Sequence, residues 1–111
     1  MHRVDSSQLL KGVLDLAVLA VLAKRDSYGY DVVRSLREAG LDDVGDASVY
    51  GTLRRLFKAG ALNSYVVASD EGPHRKYYGL NDVGRSLLAS SATRWTTFAG
   101  TMNDLLKEVA S

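Results

Sequence analysis

A chain of 111 residues, 46% hydrophobic and 24% charged, has the composition of one globular domain and lacks both the long apolar runs of a membrane protein and the charge excess of a disordered one. Cysteine is absent, which excludes disulfide frameworks, thiol nucleophiles and thiolate metal sites and makes an intracellular, cytoplasmic location the expectation. The net charge of +1 is unevenly spread: residues 45–80 carry five basic and three acidic side chains while the flanks are balanced or slightly acidic, so electrostatics permits nucleic-acid binding without demanding it.

Met1-His2-Arg3 ahead of the apolar stretch V-L-D-L-A-V-L-A-V-L-A has the outline of a secretory signal, but Asp5, Lys11 and Asp15 interrupt it. The run also falls well short of the ~20 residues of a membrane-spanning helix. Leu9 to Ala23 reads as a helix, with Ser6 or Ser7 as its N-cap. Beyond Leu14 it is apolar nearly all round and needs cover on both sides. In so short a chain the second cover is expected to be another subunit, reached through Leu16 and Leu19.

Lys24 to Tyr28 is a polar break. The segment Y-G-Y-D-V-V-R-S-L-R-E-A-G then predicts a second helix with Val32, Val33 and Leu36 buried and Gly40 as its C-terminal cap. Leu41 to Val44 connects it to a third helix over Asp46 to Gly60, whose Val49, Leu53, Leu56 and Phe57 fall on one face. The opposite face carries Ala47, Ser48, Gly51, Arg54, Arg55 and Lys58. Small groups near the start and cations toward the end suit a helix that approaches base edges and clamps phosphates. Two helices joined by a short turn are the outline of a helix-turn-helix.

After Gly60, L-N-S-Y-V-V-A-S and K-Y-Y-G-L predict two strands around the polar D-E-G-P-H-R, with Gly72 and Pro73 shaping the turn. A hairpin directly after a recognition helix is a wing, and Arg75 and Lys76 give it a basic edge able to reach phosphate or the minor groove. Asn81 can cap a last helix running to about Ala110, roughly 40 Å long. Its Leu88, Ser91, Trp95, Phe98, Met102, Leu105 and Val109 alternate spacings of three and four, a heptad-like seam that predicts pairing with a partner subunit.

The expected fold is therefore mainly α with a small β-hairpin: a winged helix-turn-helix over residues 1–80, with the recognition helix at about 46–59 and the wing at about 62–80. Residues 81–111 add a long C-terminal dimerisation helix to the same compact unit. Catalysis is not expected, because nucleophile-elbow, P-loop and dinucleotide motifs are absent and the only internal histidine lies at the wing tip. His2 and His74 are too far apart, with too little acidic support, to suggest a metal site, and no cofactor is expected.

Four motifs together resemble the PadR family of bacterial winged-helix transcriptional regulators, in its short branch with a single C-terminal helix. They are L-L-K-G-V-L-D-L at the start, Y-G-Y-D-V opening the second helix, S-V-Y-G-T-L-R-R-L in the third, and R-K-Y-Y-G-L-N-D-V-G-R after the wing. The resemblance spans about Leu9 to Leu106. It implies a homodimer on inverted-repeat operator DNA, acting as a repressor until a small molecule releases it, and associated with the bacterial nucleoid. It also implies that Tyr28 and Gly29 lie near the DNA backbone, that Ser48, Tyr50, Arg54 and Arg55 belong to the recognition helix, and that Arg75 and Lys76 belong to the wing.

Trp95 falls where multidrug-responsive members place a tryptophan facing its dimer mate. With Phe98 and Met102 it implies a platform for a planar aromatic effector. The dimer interface is assigned to Leu16, Leu19, Leu88, Trp95, Phe98, Met102 and Leu105. The sequence departs from the family where Gly51 follows Tyr50 in place of the usual T-L-Y-P. It departs again at Gly45, which replaces a Ser or Thr and leaves Asp46 as the expected cap. A rival reading is a dimeric winged-helix adaptor that binds proteins without specific DNA.

Overall fold

The computed structural model describes residue 10 and residues 12–69 and 72–110. Its elements are α1 (Leu14–Lys24), β1 (Ser27–Tyr28), α2 (Gly29–Glu38), α3 (Asp46–Lys58), β2 (Leu62–Val67), β3 (Arg75–Leu80) and α4 (Asp82–Ala110). The expected caps Ser6 and Ser7 and the turn residues Asp70 and Glu71 lie outside the described residues. Among those described, no helix is long and apolar enough to cross a membrane.

The architecture is the expected winged helix-turn-helix with a long last helix, and the sheet has one strand more than the hairpin. Ser27 and Tyr28, read as a polar break, pair antiparallel with Tyr78 and Tyr77. The sheet order is thus β1-β3-β2, with β2 and β3 paired from Leu62↔Leu80 to Val67↔Arg75. A two-residue strand has too few residues for period-two alternation to show, so only its pairing reveals it.

The core gathers Val18, Leu19 and Leu22 of α1, Val32, Val33 and Leu36 of α2, Val49, Leu53 and Leu56 of α3, and Val44, Ala61, Leu62, Tyr78 and Leu80 from the connections and sheet. Helix α1 packs against α2, α3, α4 and β3, which is how Val18, Leu19 and Leu22 find cover within one chain. That corrects part of the expected dimer interface. Leu19 is 0% exposed in the protomer's own core and has no surface to offer a partner. Leu88 is partly buried against the same core and, like Leu16, keeps some surface.

Both helices of the helix-turn-helix end alike. Gly40 and Gly60 adopt φ of +115° and +84°, a region costly for residues with a Cβ. In α2 the Gly40 N–H donates to Arg37 O and the Leu41 N–H to Leu36 O; in α3 Gly60 donates to Phe57 O and Ala61 to Leu56 O. This paired closure satisfies the last carbonyls and turns the chain sharply, first into α3 and then into the wing. At the turn, Arg37 donates to Val44 O through Nη2 at 3.0 Å and to Asp46 Oδ1 at 2.9 Å. Asp46 is therefore not the cap expected of it. Gly45 occupies the cap position without a side-chain bond, and the Asp46 carboxylate is spent on Arg37.

The last helix is capped as expected: the Gly84 N–H donates to Asn81 Oδ1 at 3.0 Å. The Asn81 amide also donates to Gly60 O at 2.9 Å, so one side chain ties the start of α4 to the end of α3. Gly84 lies against the Ala61 carbonyl with no room for a Cβ. Over its 29 residues α4 runs ~43 Å at 1.5 Å per residue. Beyond Ala92 nearly every side chain is exposed.

Candidate nucleic-acid interface

With Val49, Thr52, Leu53 and Leu56 buried, the helical period places Ala47, Gly51, Arg54 and Lys58 on the outward face of α3. Ser48 and Arg55 lie on the flank toward α1, Tyr50 and Phe57 on the flank toward α2 and the wing. Phe57 is expected on the buried face but is 42% exposed, while Thr52, five residues earlier and on the other side of the stripe, is buried. The helix is rotated slightly from the position its apolar residues suggest. The freed Phe57 ring lies beneath Lys76, whose Nζ is 5.4 Å from its centroid.

The wing base is held by aromatic contacts. The Arg75 guanidinium lies 4.6 Å from the Tyr28 ring centroid and donates from Nη1 to Tyr28 Oη at 3.3 Å. Tyr28, Tyr77 and Tyr65 are cross-strand neighbours on one face of the sheet, with centroids 5.5 and 5.8 Å apart in succession. At the end of that row Tyr65 Oη donates to Asp26 Oδ2 at 2.6 Å. The bond to Asp26, followed by partial desolvation and the carboxylate's charge, raises the Tyr65 pKa above its ordinary value. Such cation-π and aromatic pairs stabilise by about 0.5–1.5 kcal/mol each, enough to set the angle of the wing without locking it.

Five of the residues picked from the sequence meet in one place. Tyr28 and Gly29 at the start of α2, Tyr50 of α3, and Arg75 and Lys76 of β3 surround a cleft of about 280 Å³. A Cβ on Gly29 would collide with the Tyr50 ring, so a side chain there must displace Tyr50. Gly51, Arg54 and Lys58 lie on the adjoining outward face. Among the described residues neither Arg54 nor Lys58 forms an ion pair, which leaves both charges available to a ligand.

Ser48 and Arg55 are placed apart from this group. They line a second cleft, of about 400 Å³, between α3 and α1. There Arg55 donates from Nη1 to Asp15 Oδ2 at 2.7 Å and from Nη2 to Asp15 Oδ1 at 3.0 Å. The hydrogen bond first and the charge second raise the pKa of Arg55. Asp15, Asp26 and Tyr65 were not foreseen as part of the site, since partners 39 or 40 residues away leave no trace in local spacing.

Trp95, Phe98 and Met102 lie on α4, away from the helix-turn-helix. Trp95 and Phe98 are 45% and 59% exposed, with ring centroids 6.2 Å apart. Leu105, Leu106 and Val109 continue the exposed apolar surface to the end of the helix. Leu16 is only half-buried, so it keeps some surface where Leu19 keeps none.

A family model described as "Transcriptional regulator PadR-like family" matches residues 18–90, which takes in α2, α3, the wing and the start of α4. The crystal structure of a PadR-like transcriptional regulator from Bacillus cereus is similar, with 35% identity, a TM-score of 0.80, and coverage of 90% of this chain and 97% of that one. A PadR family transcription regulator from Clostridium difficile is 28% identical, with a TM-score of 0.76 and coverage of 86% and 99%. A protein of Lysinibacillus sphaericus described only as uncharacterized is 26% identical over 91 residues, 80% of this chain and 84% of its own.

Gly51 and Gly29 face opposite constraints. A Cβ on Gly51 would meet nothing nearer than Arg54 Nη2 at 3.9 Å, so Gly51→Ala should stabilise the fold by the helix-propensity gain of about 0.5–1 kcal/mol. Gly29→Ala must displace Tyr50 and should destabilise by about 1–3 kcal/mol. Urea denaturation of both variants checks this, and the reverse order would show that Tyr50 does not pack as described.

Proposed function

The chain belongs to the PadR-like family of transcriptional regulators and is thus a DNA-binding regulator of transcription, not an enzyme; from that premise we propose that it works as a homodimer which grips inverted-repeat operator DNA and represses until an effector releases it. The observation that carries this reading is the continuous surface formed by the outward face of α3 and the base of the wing. Gly51, Arg54 and Lys58 enter the major groove, with Gly51 allowing the closest backbone approach. Arg75 and Lys76, seated on Tyr28 and Phe57, hold the flanking phosphates together with Tyr28, Tyr50 and the start of α2. Ser48 and Arg55 reach the duplex from the α1 side. The protein acts on chromosomal DNA inside a bacterial cell. Nothing in the site favours the adaptor reading, since its cations are spaced along a groove-sized helix.

If Arg54 and Lys58 each neutralise a phosphate, Arg54→Ala with Lys58→Ala weakens binding to a duplex selected from a random pool. It also lowers the slope of log K against log salt by roughly 1.8. Titrations at several salt concentrations read both quantities, and an unchanged slope removes these residues from the DNA face.

Dimerisation is supported by the stripe of Trp95, Phe98, Met102 and Leu105 on a part of α4 that no element among the described residues covers. Two copies pairing there, with help from Leu16, would present their recognition helices to successive major grooves about 34 Å apart. Phe98→Asp with Leu105→Asp should give monomers by sedimentation velocity while the protomer stays helical by circular dichroism. A dimer that persists in this variant overturns the assignment.

The effector reading rests on the same stripe. Two copies of Trp95 and Phe98, with adaptable Met102 beside them, form apolar walls suited to a planar aromatic molecule. Trp95, the only tryptophan, makes the test direct. A compound that releases DNA should quench its emission, and a broad aromatic panel with no such compound refutes this part of the proposal.

A further inference from the structure

Among the described residues, Arg55 is the one cation of α3 whose charge is already answered by an ion pair. Its Nη1 and Nη2 face the two carboxylate oxygens of Asp15 fork on fork, at 2.7 and 3.0 Å, and Nη2 also approaches Thr52 Oγ1 at 3.4 Å. A guanidinium grips a phosphate with this same geometry. Both side chains are open to solvent, 60% exposed for Arg55 and 48% for Asp15, so a phosphate can reach the pair. The surroundings differ on the two sides of α3. Toward the wing lie Arg75 and Lys76; toward α1, the cleft that holds Arg55 is lined by Asp15 and Asp43.

We propose that Asp15 is a specificity-determining residue of the DNA interface: its carboxylate occupies Arg55 as a phosphate would, so that Arg55 adds nothing to sequence-independent binding and engages only a duplex that fits well enough to displace it. This deepens the DNA-binding reading and rests on α3 facing the duplex. Arg54 and Lys58 release counterions on any DNA, because no described residue pairs with them. Arg55 does not, because trading one anion for another is close to neutral. The displaced Asp15 would then lie beside the phosphate and repel it. The exchange becomes favourable only when the seated helix offers the guanidinium more than a carboxylate does, as the paired acceptors of a guanine edge do. Sequence discrimination is raised in this way by lowering affinity for the wrong sites.

The test is a double-mutant cycle on the whole chain, with Asp15→Asn, Arg55→Gln and both together, titrated over a salt series against a selected operator and a scrambled duplex of equal length. Asp15→Asn should tighten scrambled-DNA binding several-fold, steepen its salt slope by about 0.9, and so reduce the operator preference. Arg55→Gln alone should leave the scrambled-DNA slope unchanged and weaken operator binding. In the Arg55→Gln background, Asp15→Asn should have a much smaller effect, limited to relief of the bare carboxylate's repulsion and with no change in salt slope; with Arg55 present, Asp15→Glu should keep most of the discrimination by renewing the pair. Equal effects of Asp15→Asn in both backgrounds would mean a general charge effect and overturn the exchange while DNA binding stands. No change on Asp15→Asn would overturn it as well. Failure of all the proteins to bind either duplex would instead overturn the assignment of α3 to DNA, and the exchange with it.

Discussion

Val18, Leu19 and Leu22 line the face of α1 against which α2, α3, β3 and the start of α4 all pack, and the angles between those elements depend on that one contact. Each fully buried aliphatic side chain contributes about 1.5–3 kcal/mol relative to exposure, more than any polar contact on the surface of this protein. The helix-turn-helix is in this sense a surface feature of the α1 core. Arg37, bonded to Val44 O and Asp46, and the closures at Gly40 and Gly60 decide how the chain turns between helices. They act on helices whose positions burial has already decided.

The groups that would meet DNA are held by weaker means, and this suits their work. Arg75 on Tyr28, Lys76 on Phe57 and Arg55 on Asp15 are exposed contacts, each worth roughly a kcal/mol or less. Contacts of that size bring a long side chain near its working position and reduce the entropy lost on binding. They are still small enough to be exchanged for a phosphate. A buried ion pair at the same positions would resist exchange, because breaking it strands a desolvated charge.

Features set by local chemistry were legible in the sequence. Val32, Val33 and Leu36 lie where their 3.6-residue period puts them, Gly40 and Gly60 end their helices with positive φ, and Asn81 caps α4. What was missed depends on partners distant in the chain. Ser27 and Tyr28 are a strand only because β3 lies beside them. Phe57 continues an apolar stripe on paper, yet the rotation of α3 buries Thr52 and leaves Phe57 to Lys76 and the wing. From the sequence alone Leu19 points to a partner, because an all-apolar helix needs more cover than a single short helix pair offers. The sheet and the start of α4 supply that cover. For the candidate site, the cations were legible as types and positions. Their pairing was not: nothing in the spacing of residues 46–60 distinguishes Arg54 from Arg55, and it takes the fold to set Asp15 against one of them.

The start of α4 joins the candidate DNA-binding surface to the proposed pairing surface. Asn81 bonds Gly60 O beyond the end of α3 while its own Oδ1 caps α4, and Gly84 is pressed against the Ala61 carbonyl. Arg85 adds a bond from Nη1 to Leu80 O at 3.0 Å, fixing the same helix to the last residue of the wing. A rotation of α4 therefore cannot occur without carrying the end of α3 and the base of β3 with it, short of breaking several hydrogen bonds and opening a close backbone contact. In the proposed dimer the exposed half of α4 is the pairing surface, so the angle at which two copies meet sets the separation of two recognition helices. An effector seated near Trp95 would need no route of its own to the DNA. In the proposed dimer, a change in the pairing angle of the two α4 helices, each tied to its own α3 through Asn81, would move both recognition helices out of register with successive grooves.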